Sequence, residues 1–572
     1  MRRNQKMYSY NFVSFRSRSW LSFTVAVILC LFITITVLAG HVADGADAKV
    51  TDDNNNIDGG LANVTPSKDA QNRQSNEPSV AISLVASPVT GNVGDIIAAS
   101  ANDYRMVPHF GDSWMPIYLS FDGGTTWFGA PPLPNGFNTM VPGFPTDTSA
   151  AGLSSPLKNL DGSGDPVVRF DAAGNLYVAG IAFNRNFDQP DKPIDNVVYV
   201  AKYNFTPGTA ATASTMTTAG TPPHFTYAGT TIVDRGAVGF AVPNQPFGFA
   251  GEFVDKEWME IDGNGLAASP CAGNVYVSFT SFHGVAGAFP IVFSRSQDGG
   301  ASFSQPRPIS TGGQAGTVST QGSDIAIAPD GTIYVAYRTF TTNADPAVIQ
   351  VVKSTDCGRH WTNPVSLGSV SSPQAPGVGF RTPTFAFAAV DDTNPNIVYV
   401  AYQNFVGSDY DIYAQRSIDG GATWSAAVQV NEDPGSRHQI WPTIEVSNGA
   451  LHVAWYDFRN SATPANEALD VFYACSNCDG NNYPAFSHNV RVSDVSHEPN
   501  CQMFGGGSVA FHGDYIELDA RFDGANHIVH VVWTDNRDVP ADQCDLTPGA
   551  GVTNNIGNRN QNIYTDKLVV NP

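Results

Sequence analysis

The most regular feature of the chain is a short apolar segment that recurs along most of its length. Each copy has five residues, most carry Tyr or His at the second position, and turn-forming stretches such as Pro329–Gly331 precede them. Segments this short and this rich in β-branched and aromatic residues predict β-strands rather than helices. Seven copies are recognisable, the first fainter than the others: Asp95–Ala99, Leu176–Gly180, Val275–Phe279, Ile333–Tyr337, Val398–Tyr402, Leu451–Trp455 and Val529–Trp533.

A second pattern, S-x-D-x-G-x-x-[WF], occurs in four of these units. The Asp carboxylate can accept hydrogen bonds from turn amides, the Gly can adopt positive φ, and the closing aromatic ring can pack between neighbouring sheets. We therefore interpret Asp122, Asp298, Asp356 and Asp419 as turn residues rather than catalytic groups. The four hairpins are Ser120–Trp127, Ser296–Phe303, Ser354–Trp361 and Ser417–Trp424.

These hairpins resemble the Asp boxes, or BNR repeats, of the sialidase-like superfamily. The resemblance covers nearly everything from Asn76 to the C-terminus, and phrases such as Asp255–Trp258 and Gly513–Tyr515 are similar to those of secreted bacterial proteins of this type. The resemblance implies an all-β fold, a β-propeller of four-stranded blades around a central axis. It also places the Asp boxes between the third and fourth strands of their blades.

Assigning one blade to each repeat predicts seven blades, with the six blades of family sialidases as the alternative. The last unit ends after Val570 without a fourth strand. Because an open sheet edge is costly, we expect a segment near Leu61–Thr65 to supply the missing strand and close the ring. The predicted blades cover about 76–150, 163–240, 253–312, 320–370, 380–432, 437–497 and 511–570.

The N-terminus predicts export. Five basic residues precede an apolar run without charge, Trp20–Ala39, and the small-residue site Ala46–Ala48 would permit cleavage before Lys49. Since about 20 apolar residues span a bilayer, an uncleaved membrane anchor is the alternative. We expect a signal peptide or anchor over 1–48, a flexible linker over 49–75 and the propeller over 76–572. Both alternatives make the propeller secreted or extracytoplasmic.

Composition and charge narrow the possible partners. The chain has 52 acidic and 30 basic residues, a formal net charge of −22, so binding to a phosphate backbone is excluded. No H-E-x-x-H motif or phosphate-binding glycine loop occurs, and we expect neither a cofactor nor a metal. We expect a monomer that acts on a glycan or glycoconjugate.

Six cysteines follow the N-terminal apolar run, and an even number in an exported chain predicts disulfides. The C-x-x-C spacing of Cys475 and Cys478 could be half of a zinc site. Without a second such pair, we favour a local disulfide or pairing with Cys501 and Cys544.

The position of a ligand site follows from the resemblance, which places it on the face opposite the Asp boxes. Side chains at the starts of first strands and the ends of second strands converge there. Carboxylates, guanidinium groups and aromatic rings together are typical of a glycan site. A ring of structural ion pairs between blades is the alternative, because unpaired charges near a crowded axis are costly. Our candidate substrate-binding residues are Arg338, Arg459, Arg537, Asp324 and Trp258, and our candidate catalytic residues are Glu257, Asp165, Tyr456, Tyr515 and Asp514.

Sialidase chemistry would use these groups in defined roles. Arg338, Arg459 and Arg537 would clamp a substrate carboxylate, Tyr456 or Tyr515 would be the nucleophile, and Glu257 or Asp165 the acid/base. The chain departs from the family at the Arg-Ile-Pro motif, where it has Arg105–Pro108 and Arg381–Pro383 instead. The leading hypothesis is an exported sialidase-like glycoside hydrolase. The alternative is a non-catalytic propeller that binds glycans or proteins at the cell surface.

Overall fold

The structure is a computed structural model, and its chain divides into two units, Met1–Ala43 and Asp44–Pro572. In the first unit it describes only Val42 and Ala43, which form strand β1 (Val42–Ala43). Everything below concerns the second unit. The described residues are 42–51, 74–104, 113–128, 140–145, 147–184, 195–207, 224–242, 249–263, 269–284, 287, 289–310, 318–341, 346–433, 435–463, 465–478, 480–504, 509–539, 544 and 561–572.

The second unit is a seven-bladed β-propeller of antiparallel four-stranded blades, as the repeats predicted. Blade 2 comprises β6 (Gly162–Phe170), β7 (Leu176–Phe183), β8 (Asn196–Phe205) and β9 (Phe225–Arg235). Blade 3 comprises β12 (Glu252–Ile261), β13 (Val275–His283), β14 (Ile291–Ser296) and β15 (Arg307–Pro308). Blade 4 comprises β16 (Ser319–Ile327), β17 (Ile333–Phe340), β18 (Ala347–Ser354) and β19 (Val365–Val370). Blade 5 comprises β20 (Ala386–Val390), β21 (Val398–Val406), β22 (Asp409–Ser417) and β23 (Val428–Gln429). Blade 6 comprises β24 (Gln439–Ser447), β25 (Ala450–Asp457), β26 (Asp470–Ser476) and β27 (Val490–Arg491).

Blades 1 and 7 complete the ring. Blade 1 contains three strands, and a bridge between Leu119 and Phe128 marks its fourth position. The first strands of consecutive blades contact one another all the way round, and those of blades 7 and 1 also meet. The strands are β3 (Ser75–Ile82), β4 (Ile97–Asp103) and β5 (Tyr118–Ser120) in blade 1, and β30 (Glu517–Phe522), β31 (His527–Asp535) and β32 (Asn562–Val570) in blade 7.

An N-terminal segment closes blade 7, but from a different position than we predicted. Strand β2 (Ala48–Lys49) pairs antiparallel with β32, and Val50 N donates to Ile563 O at 2.8 Å. Leu61–Thr65 lies outside the described residues. The small-residue site Ala46–Ala48 therefore overlaps the strand that completes the blade, and cleavage before Lys49 stays a prediction.

Three shorter elements lie between blades. Helix α1 (Ala150–Ser154) follows blade 1, and its N-cap Ser149 accepts a hydrogen bond from Gly152 N. The strand pairs are β10 (Phe240–Ala241) with β11 (Phe249–Ala250) between blades 2 and 3, and β28 (Gln502–Phe504) with β29 (Val509–Ala510) between blades 6 and 7. Among the described residues, no helix is long and apolar enough to cross a membrane.

The four S-x-D-x-G-x-x-[WF] hairpins share one hydrogen-bond pattern. In the hairpin of blade 3, Ser296 Oγ donates to Asp298 Oδ1 at 2.7 Å, Gly300 N donates to Ser296 Oγ at 2.8 Å, and Ser302 N donates to Asp298 Oδ1 at 2.9 Å. Hydrogen bonds from Ser302 and Ser296 lower the pKa of Asp298 to about 2. Each aspartate is thus the acceptor that organises its turn, in agreement with the structural interpretation.

Contacts between blades explain the aromatic second position of the repeated strands. The Tyr177 ring of blade 2 packs against Gly300 in the blade 3 hairpin, and its hydroxyl donates to Gly299 O at 3.2 Å. Tyr334 of blade 4 packs in the same way on Gly421 in the hairpin of blade 5. Repetition of this contact couples neighbouring blades through their turns.

The six cysteines form three disulfides. Cys475 pairs with Cys478, so the structure selects the local alternative over pairing with Cys501, and these two thiols are not zinc ligands. The other bonds are Cys271–Cys357, which joins blade 3 to the hairpin of blade 4, and Cys501–Cys544.

Candidate functional site

A β-bulge recurs where the first strands begin. The register shifts at this position in five of the seven first strands, and one residue of each bulge has positive φ. Four of the five are not glycine, although this region costs other residues about 1–3 kcal/mol, and such strain concentrates at functional sites. The positive-φ residues are Glu77 (φ 54°), Asp165 (φ 57°), Lys256 (φ 59°), Gly322 (φ 67°) and Trp441 (φ 50°).

The bulges of blades 2 and 3 bring three carboxyl groups together, which we name the axial carboxyl cluster: Asp165, Asp255 and Glu257. Their oxygen atoms lie within 4.8 Å of one another. Asp165 and Asp255 are half-buried, whereas Glu257 is 4% exposed. Two unit charges no more than 4.8 Å apart repel by at least about 3 kcal/mol at an effective dielectric constant of about 20. This repulsion disfavours the ionised forms of Asp255 and Glu257.

Burial and mutual repulsion shift the pKa values of Asp255 and Glu257. They raise the pKa of Asp255 to about 7, with Asp165 as the main charged neighbour, and raise that of Glu257 well above its usual range. Neither carboxyl oxygen of Glu257 has a hydrogen-bond partner among the described residues. An unpartnered buried carboxyl group is rare in proteins and is a mark of function.

Glu77 borders the cluster from blade 1. Its Oε2 accepts a hydrogen bond from Asn102 Nδ2 at 2.7 Å, and Asn102 Oδ1 accepts one from Asp165 N at 2.7 Å. Glu77 is 3% exposed, and burial together with the charge of Asp165 raises its pKa well above the usual range. Asn102 therefore fixes the positions of two carboxyl groups from neighbouring blades.

Asp514 of blade 7 is in the opposite electrostatic state. Arg381 donates to both of its oxygens, at 2.7 and 2.6 Å, and Lys256 Nζ lies 3.4 Å from Oδ2. Although burial opposes ionisation, the charges of Lys256 and Arg381 lower the pKa of Asp514. The site thus combines carboxyl groups that hold protons with one that is held ionised, a combination typical of acid/base chemistry.

Aromatic rings pack against the charged groups of the site. Trp258 contacts Tyr515 edge-on at 6.5 Å between ring centroids, and Lys256 Nζ lies 4.2 Å from the centroid of the Tyr515 ring. The cavity here is about 20 Å³, lined by Asp165, Glu257 and Trp258 among others, which is space for about one water molecule. A sugar ring would therefore lie outside this cavity, at the mouth where Asp165 and Asp255 are accessible.

The first strands of the blades surround a central channel, and the axial carboxyl cluster lies at one end of it. The opposite end of this channel holds a larger cavity of about 360 Å³. Arg169 lies there, 5.4 Å from the Trp258 ring, and forms ion pairs with Glu260 at 2.7 Å and Glu517 at 2.8 Å. These carboxylates and this guanidinium group compensate one another. The two ends of the channel are thus chemically different.

Arg459 and Arg537, two of the three arginines predicted to clamp a substrate, lie in a repeated structural module. In blade 6, Asp457 Oδ2 accepts from Trp455 Nε1 at 2.9 Å and from Arg459 Nη2 at 2.6 Å. Trp533, Asp535 and Arg537 repeat these two contacts in blade 7 at the same distances. In this W-x-D-x-R module each arginine is paired with an aspartate of its own blade, whereas the ion-pair alternative placed the pairs between blades.

The arginine side chains of the module extend away from the axis. The Arg459 guanidinium carbon lies 4.0 Å from the centroid of the Phe472 ring in β26, and that of Arg537 lies 4.1 Å from the Tyr564 ring in β32. Arg537 Nη1 also donates to Asp47 at 2.6 Å. Both side chains therefore cover third strands, and they share no partner with Arg338.

Arg338 lies nearer to the axis. Its Nη2 donates to Gln321 Oε1 at 2.7 Å and its guanidinium carbon lies 4.9 Å from the Phe385 ring. Burial lowers the pKa of Arg338 to about 10. Asp324 accepts from Ala388 N at 2.5 Å and so links blades 4 and 5.

The two candidate tyrosine nucleophiles occupy different environments. Tyr456 is fully buried, donates to Thr534 O at 3.0 Å and accepts from Thr534 N at 2.8 Å, which joins blades 6 and 7. Tyr515 lies in the site, but burial and the neighbouring carboxyl groups raise its pKa well above the usual range. A raised pKa weakens a phenol as a nucleophile.

Of the predicted residues, the structure places Asp165, Glu257, Trp258, Asp324 and Tyr515 around one cavity. Asp514 is joined to them through Lys256. Asp255, Lys256, Glu77 and Arg381 complete the site but were not among the candidate residues predicted from the sequence. A sequence signal existed, since all four lie at or just before first-strand starts, where convergence was expected. The pairing of Arg381 with Asp514 joins blades 5 and 7 and could not be read from local sequence.

No protein-family model and no curated protein sequence matches the chain. Similar solved structures include a protein of unknown function from Dyadobacter fermentans, with 12% identity over 93% of this chain and 100% of that chain and a TM-score of 0.39. An α-L-arabinanase from Penicillium chrysogenum complexed with arabinobiose shows 14% identity over 72% and 94%, with a TM-score of 0.38. An intramolecular trans-sialidase from Ruminococcus gnavus shows 13% identity over 69% and 92%, with a TM-score of 0.35.

Proposed function

We propose that the protein is an exported glycoside hydrolase that acts on a glycan at the axial carboxyl cluster. One observation carries the proposal: two half-buried carboxyl groups, Asp165 and Asp255, lie with oxygen atoms within 4.8 Å at the accessible side of the cluster. Paired carboxyl groups flanking a glycosidic bond are the common machinery of glycoside hydrolysis. Their origin on first strands of adjacent blades gives them a rigid scaffold.

The proposed reaction uses the two groups in different roles. Asp255 donates a proton to the glycosidic oxygen as the bond to the anomeric carbon breaks, and the Asp165 carboxylate attacks that carbon. A water molecule then displaces Asp165 from the anomeric carbon and transfers a proton to Asp255, which restores both groups. The short separation favours this double displacement, because inverting enzymes need about 6.5–9.5 Å to admit water.

The substrate proposed for this site is a neutral glycan rather than a sialic acid. Arg459 and Arg537 are engaged by Asp457 and Asp535, and Arg381 already forms two hydrogen bonds with Asp514. The surrounding carboxyl groups repel an anionic sugar. Release of sialic acid by the protein would contradict this choice of substrate.

The test is hydrolysis of a panel of aryl glycosides and plant and host polysaccharides by the wild-type protein and two variants. Asp255→Asn removes the proton donor, and we expect turnover to fall by about 10²–10⁴-fold. Asp165→Gly removes the nucleophile at a position whose φ of 57° suits glycine. Azide should restore turnover to Asp165→Gly and yield a glycosyl azide of inverted anomeric configuration, because azide then attacks the anomeric carbon directly.

The matched control is Asp234→Asn, which changes a partly buried aspartate on β9, the outermost strand of blade 2. We expect it to retain wild-type activity. Full activity in Asp255→Asn would refute the proposal. Glycan binding by a folded wild-type protein that turns over no substrate would instead support the non-catalytic alternative.

A further inference from the structure

The axial carboxyl cluster also has the composition of a cation site. Three carboxyl groups meet there, and the nearest cation, Lys256, is directed at Asp514. Glu257 supplies the decisive observation, since it is 4% exposed and neither of its oxygens has a hydrogen-bond partner among the described residues. Buried carboxyl groups are otherwise paired, hydrogen-bonded or bound to a metal.

Neighbouring groups provide further oxygen donors. Glu77 is 3% exposed, and its Oε1 has no partner among the described residues, while its Oε2 accepts from Asn102. A cavity of about 20 Å³, the size of a single small ion or water molecule, lies against Asp165 and Glu257, and Lys256 also lines it. Carboxyl oxygens from blades 2 and 3 thus border a space that admits no organic ligand.

The separation of the oxygens selects among ions. Ca²⁺ binds oxygen at about 2.3–2.6 Å, so two ligands of one Ca²⁺ ion lie up to about 5 Å apart. Mg²⁺ binds at about 2.0–2.1 Å and spans about 4 Å. Oxygens within 4.8 Å fit Ca²⁺ over their whole range of separations but fit Mg²⁺ over only part of it.

We propose that one Ca²⁺ ion binds between Asp165, Asp255 and Glu257 at the end of the propeller axis. The ion joins the first strands of blades 2 and 3 and neutralises their mutual repulsion. No sequence motif announces this site, because its ligands come from two bulges about 90 residues apart. Where the proposed function holds, the same ion inhibits it by occupying the oxygens that the reaction needs.

Calcium binding is measured on the full chain after treatment with EDTA, by isothermal titration calorimetry with CaCl₂ and by the shift in melting temperature. We expect binding with a stoichiometry of one and a higher melting temperature with Ca²⁺ than with Mg²⁺. Glu257→Gln and Asp165→Asn should each weaken binding at least tenfold. Glu445→Gln, at the opposite end of the channel, is the matched control and should bind as the wild type does.

A second readout covers the case in which one variant does not fold. Tb³⁺ occupies Ca²⁺ sites and emits when a nearby tryptophan is excited, and Trp258 lines the same cavity as Glu257. We expect sensitised Tb³⁺ emission from the wild-type protein, and we expect added Ca²⁺ to abolish it by displacing Tb³⁺. The Asp255→Asn variant, which changes a half-buried residue, should not show this emission. Absence of both calorimetric binding and emission, or binding that survives all three substitutions, would overturn the proposal.

The outcomes for the ion and for catalysis are separable. Calcium binding by a protein without hydrolase activity would leave this inference standing and remove the proposed function. Hydrolysis by a protein that binds no Ca²⁺ would do the reverse.

Discussion

Asp457 is a fully buried carboxyl group that accepts hydrogen bonds from Trp455 Nε1, Arg459 N and Arg459 Nη2 at 2.9, 2.7 and 2.6 Å. Gln439 Nε2 also donates to Asp457, at 3.3 Å, so the Asp457→Ala variant removes the acceptor from four donors at once. Arg459 Nη2 keeps a hydrogen bond to Asn489 Oδ1 at 2.9 Å. The substitution therefore tests whether this arginine stabilises blade 6 or serves a substrate.

The expected loss of stability follows from these contacts. Each buried donor left without an acceptor costs about 1–3 kcal/mol, and breaking a buried ion pair costs about 3–5 kcal/mol. Burial raises the pKa of Asp457, so the variant regains part of the cost of burying this carboxylate. We expect a net loss of about 3 kcal/mol in the free energy of unfolding.

Urea denaturation followed by tryptophan fluorescence measures this loss, and the KM for any substrate found is measured without urea. Asp161→Ala, at an exposed aspartate, is the control and should leave both unchanged. We expect Asp457→Ala to keep the wild-type KM. A variant as stable as the wild type but unable to bind substrate would refute the structural role and return Arg459 to the substrate site.

Two further predictions concern pH and the N-terminal strand. Burial raises the pKa of Asp519, on the first strand of blade 7, to about 7, so the folded protein keeps a proton that the unfolded chain loses near pH 4. The free energy of unfolding should fall between about pH 4 and 7, by up to about 4 kcal/mol from this group, and Asp519→Asn should flatten the profile measured by urea denaturation. A chain beginning at Lys49 should melt at a lower temperature than one beginning at Asp44, because Arg537 and Asp494 N lose Asp47 as an acceptor at 2.6 and 2.7 Å. Equal melting temperatures would show that Asp47 does not stabilise blade 7.

The blades could be predicted because each carries its own signal. Second strands such as Ile333–Tyr337 are short and rich in β-branched and aromatic residues, and the hairpins repeat one spacing of turn-forming residues. The closing strand could not be located in this way. Ala48–Lys49 is two residues long, shows no periodicity and is fixed by its contacts with β32.

Only part of the candidate site could be predicted from the sequence. First-strand starts converge as expected, and Asp165, Glu257 and Asp514 meet at the axis. Of the second-strand ends, Arg338 lies nearer to the axis. Arg459 and Arg537 do not, because each follows the end of its strand and is bound by the aspartate two residues before it. Whether an arginine is free or already paired depends on side-chain geometry that spacing alone leaves open.

The contrast between the two ends of the channel distinguishes structural charges from the proposed functional ones. At the end that holds the larger cavity, Glu260 and Glu517 each accept from Arg169 and from a backbone N–H, and Asp519 accepts from two backbone N–H groups. Carboxyl groups on the first strands can therefore accept hydrogen bonds from backbone N–H groups and from arginine, and those that stabilise the ring do so. Glu257 lies on the same strand as Glu260 yet has no donor among the described residues. Glu257 thus differs from the carboxyl groups that stabilise the ring in the way that the proposed cation site requires.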